Sequence, residues 1–318
     1  MIKKIKVLLL TGVISIGVVG CSSTNTNKVE DKTKVALVLS TGGVNDQSFN
    51  QSAWEQGALK AEEEYGVEVS YLESNSDKDY IQNIETAIDE ESDLIIGIGF
   101  QLGDAIKEAA EAYPKQQFAI VDSVYEEIPE NVRCITFNEE EAGYLTGLIA
   151  GKMTKTNTIG WIGGMDIISC SNFYIGYEKG AKEINPNVKV LKQFTNSFTD
   201  AAKGRVVAEQ MVKDKADIIF MASGGGNAGS LEVVRENNIK AIGVDMAQNY
   251  LSPEHIITSA LKNVGEGLKL TIKDFIDGNF KGGTEVKYDL SNGGVGYEKT
   301  DLIPQSILKY VEDKLNNK

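Results

Sequence analysis

The run Val35-Ala36-Leu37-Val38-Leu39 leads at once into Ser40-Thr41-Gly42-Gly43-Val44-Asn45-Asp46-Gln47-Ser48-Phe49-Asn50. Continuous rather than alternating hydrophobicity suits a strand buried on both faces, as in a parallel sheet covered by helices. The same unit recurs along the chain. Leu94–Ile98 ends near Gly99 and Phe100, Phe118–Val121 runs into Asp122-Ser123, and Thr158–Ile162 into Gly163-Gly164-Met165-Asp166. Ile218–Met221 is followed by Ala222-Ser223-Gly224-Gly225-Gly226-Asn227, and Ala241–Val244 by Asp245. In open α/β sheets ligands bind beyond the carboxyl ends of the strands, so these turns, all on one topological side, describe a ligand cleft.

Between the strands lie segments with helical spacing. Ile81, Ile84 and Ile88 share one face, as do Ala142, Leu145, Ile149 and Met153, then Val264, Leu268, Ile272 and Phe275, and finally Leu308, Val311 and Leu315. Strand–helix alternation implies right-handed βαβ units. About ten strands exceed the usual sheet of about five or six, which favours two doubly wound lobes. With no internal repeat and no long linker, the chain is expected to cross a hinge more than once.

Composition narrows the function classes. The 318 residues include 32 Lys+Arg against 46 Asp+Glu, a net charge of −14, with 42% hydrophobic residues, which fits a folded globular body. Such a charge excludes nucleic acid as a partner, because phosphate binding needs a concentrated basic surface. Arg133, Arg205 and Arg235 are the only arginines, so little is available for bidentate phosphate recognition. With His255 as the sole histidine and no C-x-x-C pair, a metal site or a Cys–His nucleophile has little material; neither a metal nor a cofactor is expected. Cys134 and Cys170, in an oxidising compartment, could form one bridge, but nothing in the sequence places them together and the expectation is free thiols, buried or semi-buried.

The first residues read as an address. Lys3, Lys4 and Lys6 precede an apolar run, Val7–Val19, that is too short to span a membrane and ends Val18-Val19-Gly20-Cys21. This resembles the bacterial lipobox, which implies cleavage of residues 1–20 and lipidation of Cys21. Residues 21–33, polar and without aromatics, then form a flexible tether holding a body outside the cytoplasm, attached to the membrane only by lipid.

Gly224-x-Gly226-x-x-Gly229, with Asp245 beyond it, matches a dinucleotide fingerprint, yet an exported protein has little access to NAD. The same chemistry serves any ribose-bearing ligand. Residues 42–53, 139–147 and 197–204, together with Gly163-Gly164-Met165-Asp166, Gly243-Val244-Asp245 and Ser291-Asn292-Gly293-Gly294-Val295, resemble the basic membrane protein family. These are lipoproteins that bind purine nucleosides for an ABC importer.

The resemblance implies a type I periplasmic-binding-protein fold with two lobes on a multi-strand hinge. The first lobe would take residues 34–136 plus about 247–285, and the second 137–246 plus about 286–318. It also implies roles. Phe49 and Phe173 hold the purine; Asn45, Asp46 and Asp122 read its polar edge; Asp245 accepts from the ribose hydroxyls. Lys262 and a backbone amide at Gly224–Gly225 complete the sugar site, with Asn50 and Tyr177 as second-tier members. Ser40 stands where the family commonly has an acid, and Asn138 where arginine is frequent.

Local readings stand beside these. Asp46 could cap a helix, Phe49 and Phe173 could be core, Asp122 and Asp245 turn residues, and Lys262 a surface amine. Glu139–Glu141 reads as a solvated helix start rather than a metal site.

The expectation is therefore a binding protein, not an enzyme, that captures adenosine, guanosine or inosine and passes it to an ABC permease with its ATPase. A sugar receptor of the same fold is the alternative, a nucleoside hydrolase a more distant one. Metabolic labelling with palmitate is expected to mark the protein, and Cys21→Ala to abolish the label; an unlabelled wild type removes the anchor.

Overall fold

The computed structural model describes residues 32–316. The signal segment 1–20, Cys21 and nearly all of the tether lie outside the described residues. In chain order the strands are β1 (Lys34–Leu39), β2 (Glu68–Leu72), β3 (Leu94–Ile98), β4 (Gln117–Val121), β5 (Val132–Phe137), β6 (Thr158–Gly163), β7 (Lys189–Phe194), β8 (Ile218–Ala222), β9 (Lys240–Asp245), β10 (Ile256–Lys262), β11 (Thr284–Tyr288) and β12 (Val295–Tyr297). They form two six-stranded sheets, ordered β11-β5-β4-β3-β1-β2 and β12-β10-β9-β8-β6-β7. All pairings are parallel except β10 with β12.

Both lobes are doubly wound. In the first sheet Val35, Leu37 and Leu39 face the helical stretch 49–65 and the helix Val264–Ile276, while Ala36 and Val38 face the helices Tyr80–Asp89 and Gly103–Ala112. In the second, Trp161 and Phe220 pack under Glu139–Met153 and Ile168–Ile184, while Ile162 and Met221 face Ala201–Lys213 and Asn227–Glu236. Strands covered on both faces favour apolar residues along their whole length, which is why β3 and β8 carried a clear signal. Edge strands β2 and β7 are half exposed and carry Glu68, Lys189 and Lys192; charge there discourages edge-to-edge pairing and hid both strands from a search for apolar runs.

The chain changes sheet at Asn138, at Asn263 and through residues 289–294. These crossings are laced together: Asn138 N–H donates to the Tyr288 carbonyl (2.8 Å), and Asn263 donates from its backbone N–H to Gly294 (2.9 Å) and from its side chain to Gly293 (2.7 Å). The expected return to the first lobe near residue 247 is corrected. Ile256–Lys262 pairs in parallel with β9, so the chain stays in the second sheet until Asn263, and it leaves the first sheet after Tyr288 rather than near 285. Among the described residues no helix is long and apolar enough to cross a membrane.

Glycines set the spacing of the helix pair Glu139–Met153 and Ile168–Ile184. A Cβ added at Gly143 or Gly147 would overlap the carbonyl oxygens of Phe173 and Tyr177, and one at Gly176 or Gly180 those of Glu140 and Tyr144. The Gly-x-x-x-Gly spacing inside the motif 139–147 is thus a packing requirement. Gly176→Ala is expected to lower stability by about 2 kcal/mol, the usual scale of overpacking, despite Ala being the better helix former. An unchanged denaturation midpoint in urea means that the two helices can move apart at no cost.

Candidate functional site

The cleft lies where the carboxyl ends of strands from both sheets meet, at the positions where strand order reverses, β1/β3 and β6/β8. Its first-lobe wall begins with the turn after β1. Gly42 and Gly43 have φ of 122° and 72°, which lets the chain fold back on itself. Asp46 then accepts N–H bonds from Ser48, Asn50 and Gln51 at 2.9, 2.9 and 3.1 Å, fixing the start of the stretch 49–65. Asn50 is buried and holds the turn through the Ser40 and Gly43 carbonyls. The result is a rigid turn that carries Phe49 to the cleft.

From the second lobe comes Phe173, on the helix Ile168–Ile184. Its ring meets Phe220 edge-on (5.8 Å between centroids, 77°), so a core contact orients it. Phe100 and Phe198 also line the cleft.

The charged groups stand at strand ends. Asp122 and Asp245 follow or end β4 and β9 with φ of 63° and 65°, a left-handed conformation that Asp tolerates better than most residues. Lys262 ends β10 and is 2% exposed; its Nζ is 2.5 Å from Asp122 Oδ2 and 2.9 Å from Glu139 Oε1, and it lies over the Phe49 and Phe137 rings at 5.4 and 5.3 Å. Asp122 Oδ1 is buried without a hydrogen-bond partner. Across the cleft Ser48 Oγ donates to Asp245 Oδ2, and Gln248 Nε2 to the Gln47 carbonyl (2.7 Å).

Burial dominates the titration of these groups. It pushes Asp245 up to about 7, against the opposing pull of Lys262 and the Ser48 hydroxyl. It also raises Asp122, where Lys262 pulls down and Glu139 pushes up, since one cation cannot neutralise two carboxylates. Lys262 stays charged: burial opposes its proton, but Asp122, Glu139 and Asp245 together hold it above an ordinary lysine. Cys170, also on the wall, is pushed by burial to about 12, so its thiol stays protonated and unreactive for as long as it is buried.

Of the residues singled out from sequence, Asp46, Phe49, Asn50, Asp122, Phe173, Gly224, Asp245 and Lys262 line one cleft. Asn45 does not; it is exposed on the turn, outward of the cap that Asp46 forms. Tyr177 does not either, because one helical turn beyond Phe173 its ring is fully buried against Phe220 (5.3 Å). Gly225 lies one residue past the wall. Lys262 is no surface amine, and Glu139, read as a solvated helix start, is 3% exposed at its side chain. Gly229 of the glycine-rich turn serves helix packing, since a Cβ there would overlap the Ala201 carbonyl. Cys134 and Cys170 are free and buried. Among the described residues no three His, Cys, Asp or Glu are placed to hold a metal ion, and His255 bonds Ser252 outside the cleft.

Two open parallel-sheet lobes with a cleft at their facing strand ends define a solute-binding protein of the periplasmic-binding-protein fold. The chain belongs to the Bmp family, described as ABC transporter substrate-binding protein PnrA-like, whose model matches residues 32–318. It is 37% identical to the ABC transporter nucleoside-binding protein BmpA of Lactococcus lactis, over 93% of this chain and 91% of that protein. It is 38% identical to basic membrane protein A of Borreliella burgdorferi, over 98% and 91%. A solved ABC transporter solute-binding protein from Aeropyrum pernix superposes with a TM-score of 0.78 at 28% identity, covering 89% of this chain and 86% of that one.

The titration of Asp245 has a measurable consequence. Between its ordinary value of 3.8 and about 7 the unfolded chain releases this proton while the folded chain keeps it. Its contribution to stability therefore falls as the pH rises through that window. Asp245→Asn is expected to raise the thermal midpoint at pH 8 more than at pH 5; equal shifts at both mean that this carboxyl titrates normally.

Proposed function

We propose that this protein captures purine nucleosides, of the adenosine, guanosine and inosine class, and delivers them to an ABC import permease from a lipid anchor at Cys21. The observation that carries the reading is the pairing, on one cleft, of phenylalanines from opposite lobes with a buried aspartate at a strand end: Phe49, Phe173 and Asp245. Stacking a base on an aromatic face contributes roughly 1–3 kcal/mol and tolerates any purine. Asp245 accepts from the ribose diol, exchanging its bond from Ser48 for bonds from the ligand. A deoxy sugar leaves that buried acceptor unpaired and is rejected.

Asp122, with one oxygen unpartnered, accepts from the donor edge of the base. Nucleotides are disfavoured, because Asp46, Asp122 and Asp245 face the cleft and its one lysine is already doubly paired. A ligand touching both lobes stabilises their closed arrangement differentially, which is the signal a permease can read. The name of the Lactococcus lactis relative supports a nucleoside as cargo.

A thermal-shift and calorimetric screen of nucleosides, free bases, nucleotides and pentoses tests the reading. Purine nucleosides are expected to stabilise the protein and to be recovered intact. Asp245→Ala is expected to lose that binding while remaining folded. Near-normal affinity in Asp245→Ala, stabilisation by a pentose alone, or protein-dependent release of free base each points to a different function.

A further inference from the structure

The two carboxylates that hold Lys262 belong to different lobes. Asp122 follows β4 of the first sheet, whereas Glu139 opens the second-lobe helix Glu139–Met153, and Lys262 itself ends β10 of the second sheet. With Lys262 and Glu139 on one lobe and Asp122 on the other, parting of the lobes would separate Lys262 from Asp122 and leave it with Glu139. A buried cation left without a partner is strongly unfavourable, so a lysine whose only carboxylate stood across the cleft would hold the lobes shut.

We propose that Glu139 is a positioning residue: it is the standing counter-ion of Lys262, which keeps the amine paired while Asp122 comes and goes and so sets how readily the lobes part. The carboxylate is held for this task. Its other oxygen accepts from Asn172 Nδ2 (3.2 Å), on the helix that carries Phe173, and it sits at a helix N-terminus, where the dipole favours negative charge. Glu139 also follows directly on Asn138, and Lys262 directly precedes Asn263, so the pair adjoins two of the crossings between sheets. The remaining charged group facing Lys262 is Asp245, a second-lobe residue that moves with it. The proposal rests on reading this cleft as the ligand site, and it concerns a residue that reading does not use.

The molecule carries its own reporters. Cys170 lines the cleft, and Cys134 lies in the first-lobe core; both are buried and free. Alkylation of the full chain by N-ethylmaleimide, followed by peptide mass spectrometry, reads parting of the lobes at Cys170 and global unfolding at Cys134. Glu139→Gln is expected to slow labelling of Cys170 by at least about threefold with Cys134 still protected, and Glu139→Asp to restore it. Asp122→Asn, which removes the partner across the cleft, is expected to speed it by a similar factor. An equal or faster Cys170 rate in a folded Glu139→Gln protein overturns the proposal. If that variant unfolds and exposes Cys134, an unchanged Cys170 rate in Asp122→Asn overturns it instead. No nucleoside enters the measurement, so its failure is distinct from a failed nucleoside screen.

Discussion

A lysine that is 2% exposed has to bring its counter-charges with it, and at Lys262 this requirement organises the base of the cleft. One counter-charge comes from the same lobe and one from the other, so the electrostatics of a single amine join the two sheets. The neighbouring rings of Phe49 and Phe137 keep water away and add cation–π attraction. Because two carboxylates meet one cation, the cluster retains a surplus of negative charge, which is unfavourable for folding and suited to a ligand that offers donors.

The same tension runs through the rest of the site. Asp122 and Asp245 hold left-handed backbone at strand ends, and both are buried carboxyls pushed above their ordinary range. Sparsely populated conformations and desolvated charges persist only where the surrounding structure enforces them. Here the enforcement comes from parallel strands packed on both faces and from a helix pair drawn together by Gly143, Gly147, Gly176 and Gly180. Rigid lobes let a small number of polar contacts across the cleft, Ser48 with Asp245 and Gln248 with the Gln47 carbonyl, report on their relative position.

Much of this architecture was legible in the sequence. Buried strands with an unbroken hydrophobic interior are easily read, so β1, β3, β4, β6, β8 and β9 stood out as apolar runs and their turns marked the cleft. By contrast β5, buried almost throughout, is interrupted by Arg133. Strands β2 and β7 lie at sheet edges and carry charge, so their composition resembles that of loops. The run at β10 contains Thr258 and Ser259, both fully buried, and without it the hinge was placed too early. In the site, Phe49 and Asp245 lie inside family motifs and Asp122 in a strand-end turn, whereas Phe173 and Lys262 sit in no motif and followed only from the family resemblance. Phe198 lies within the motif 197–204, where nothing local marks it as a cleft residue, and Cys170 carries no motif at all. Asn45 and Tyr177 were misplaced because a neighbouring residue, Asp46 or Phe173, took the position that faces the cleft.

By itself the sequence determined the alternation of strand and helix, the division into two lobes and the side on which ligands bind. Those properties follow from local periodicity and from the chirality of βαβ connections, which act over tens of residues. Only the tertiary structure decided which charges meet. Glu139 looks identical to its neighbours in an acidic run, and Lys262 could have been any surface amine. Their burial and pairing depend on where helices and strands far apart in the chain come to rest, and no local pattern encodes that.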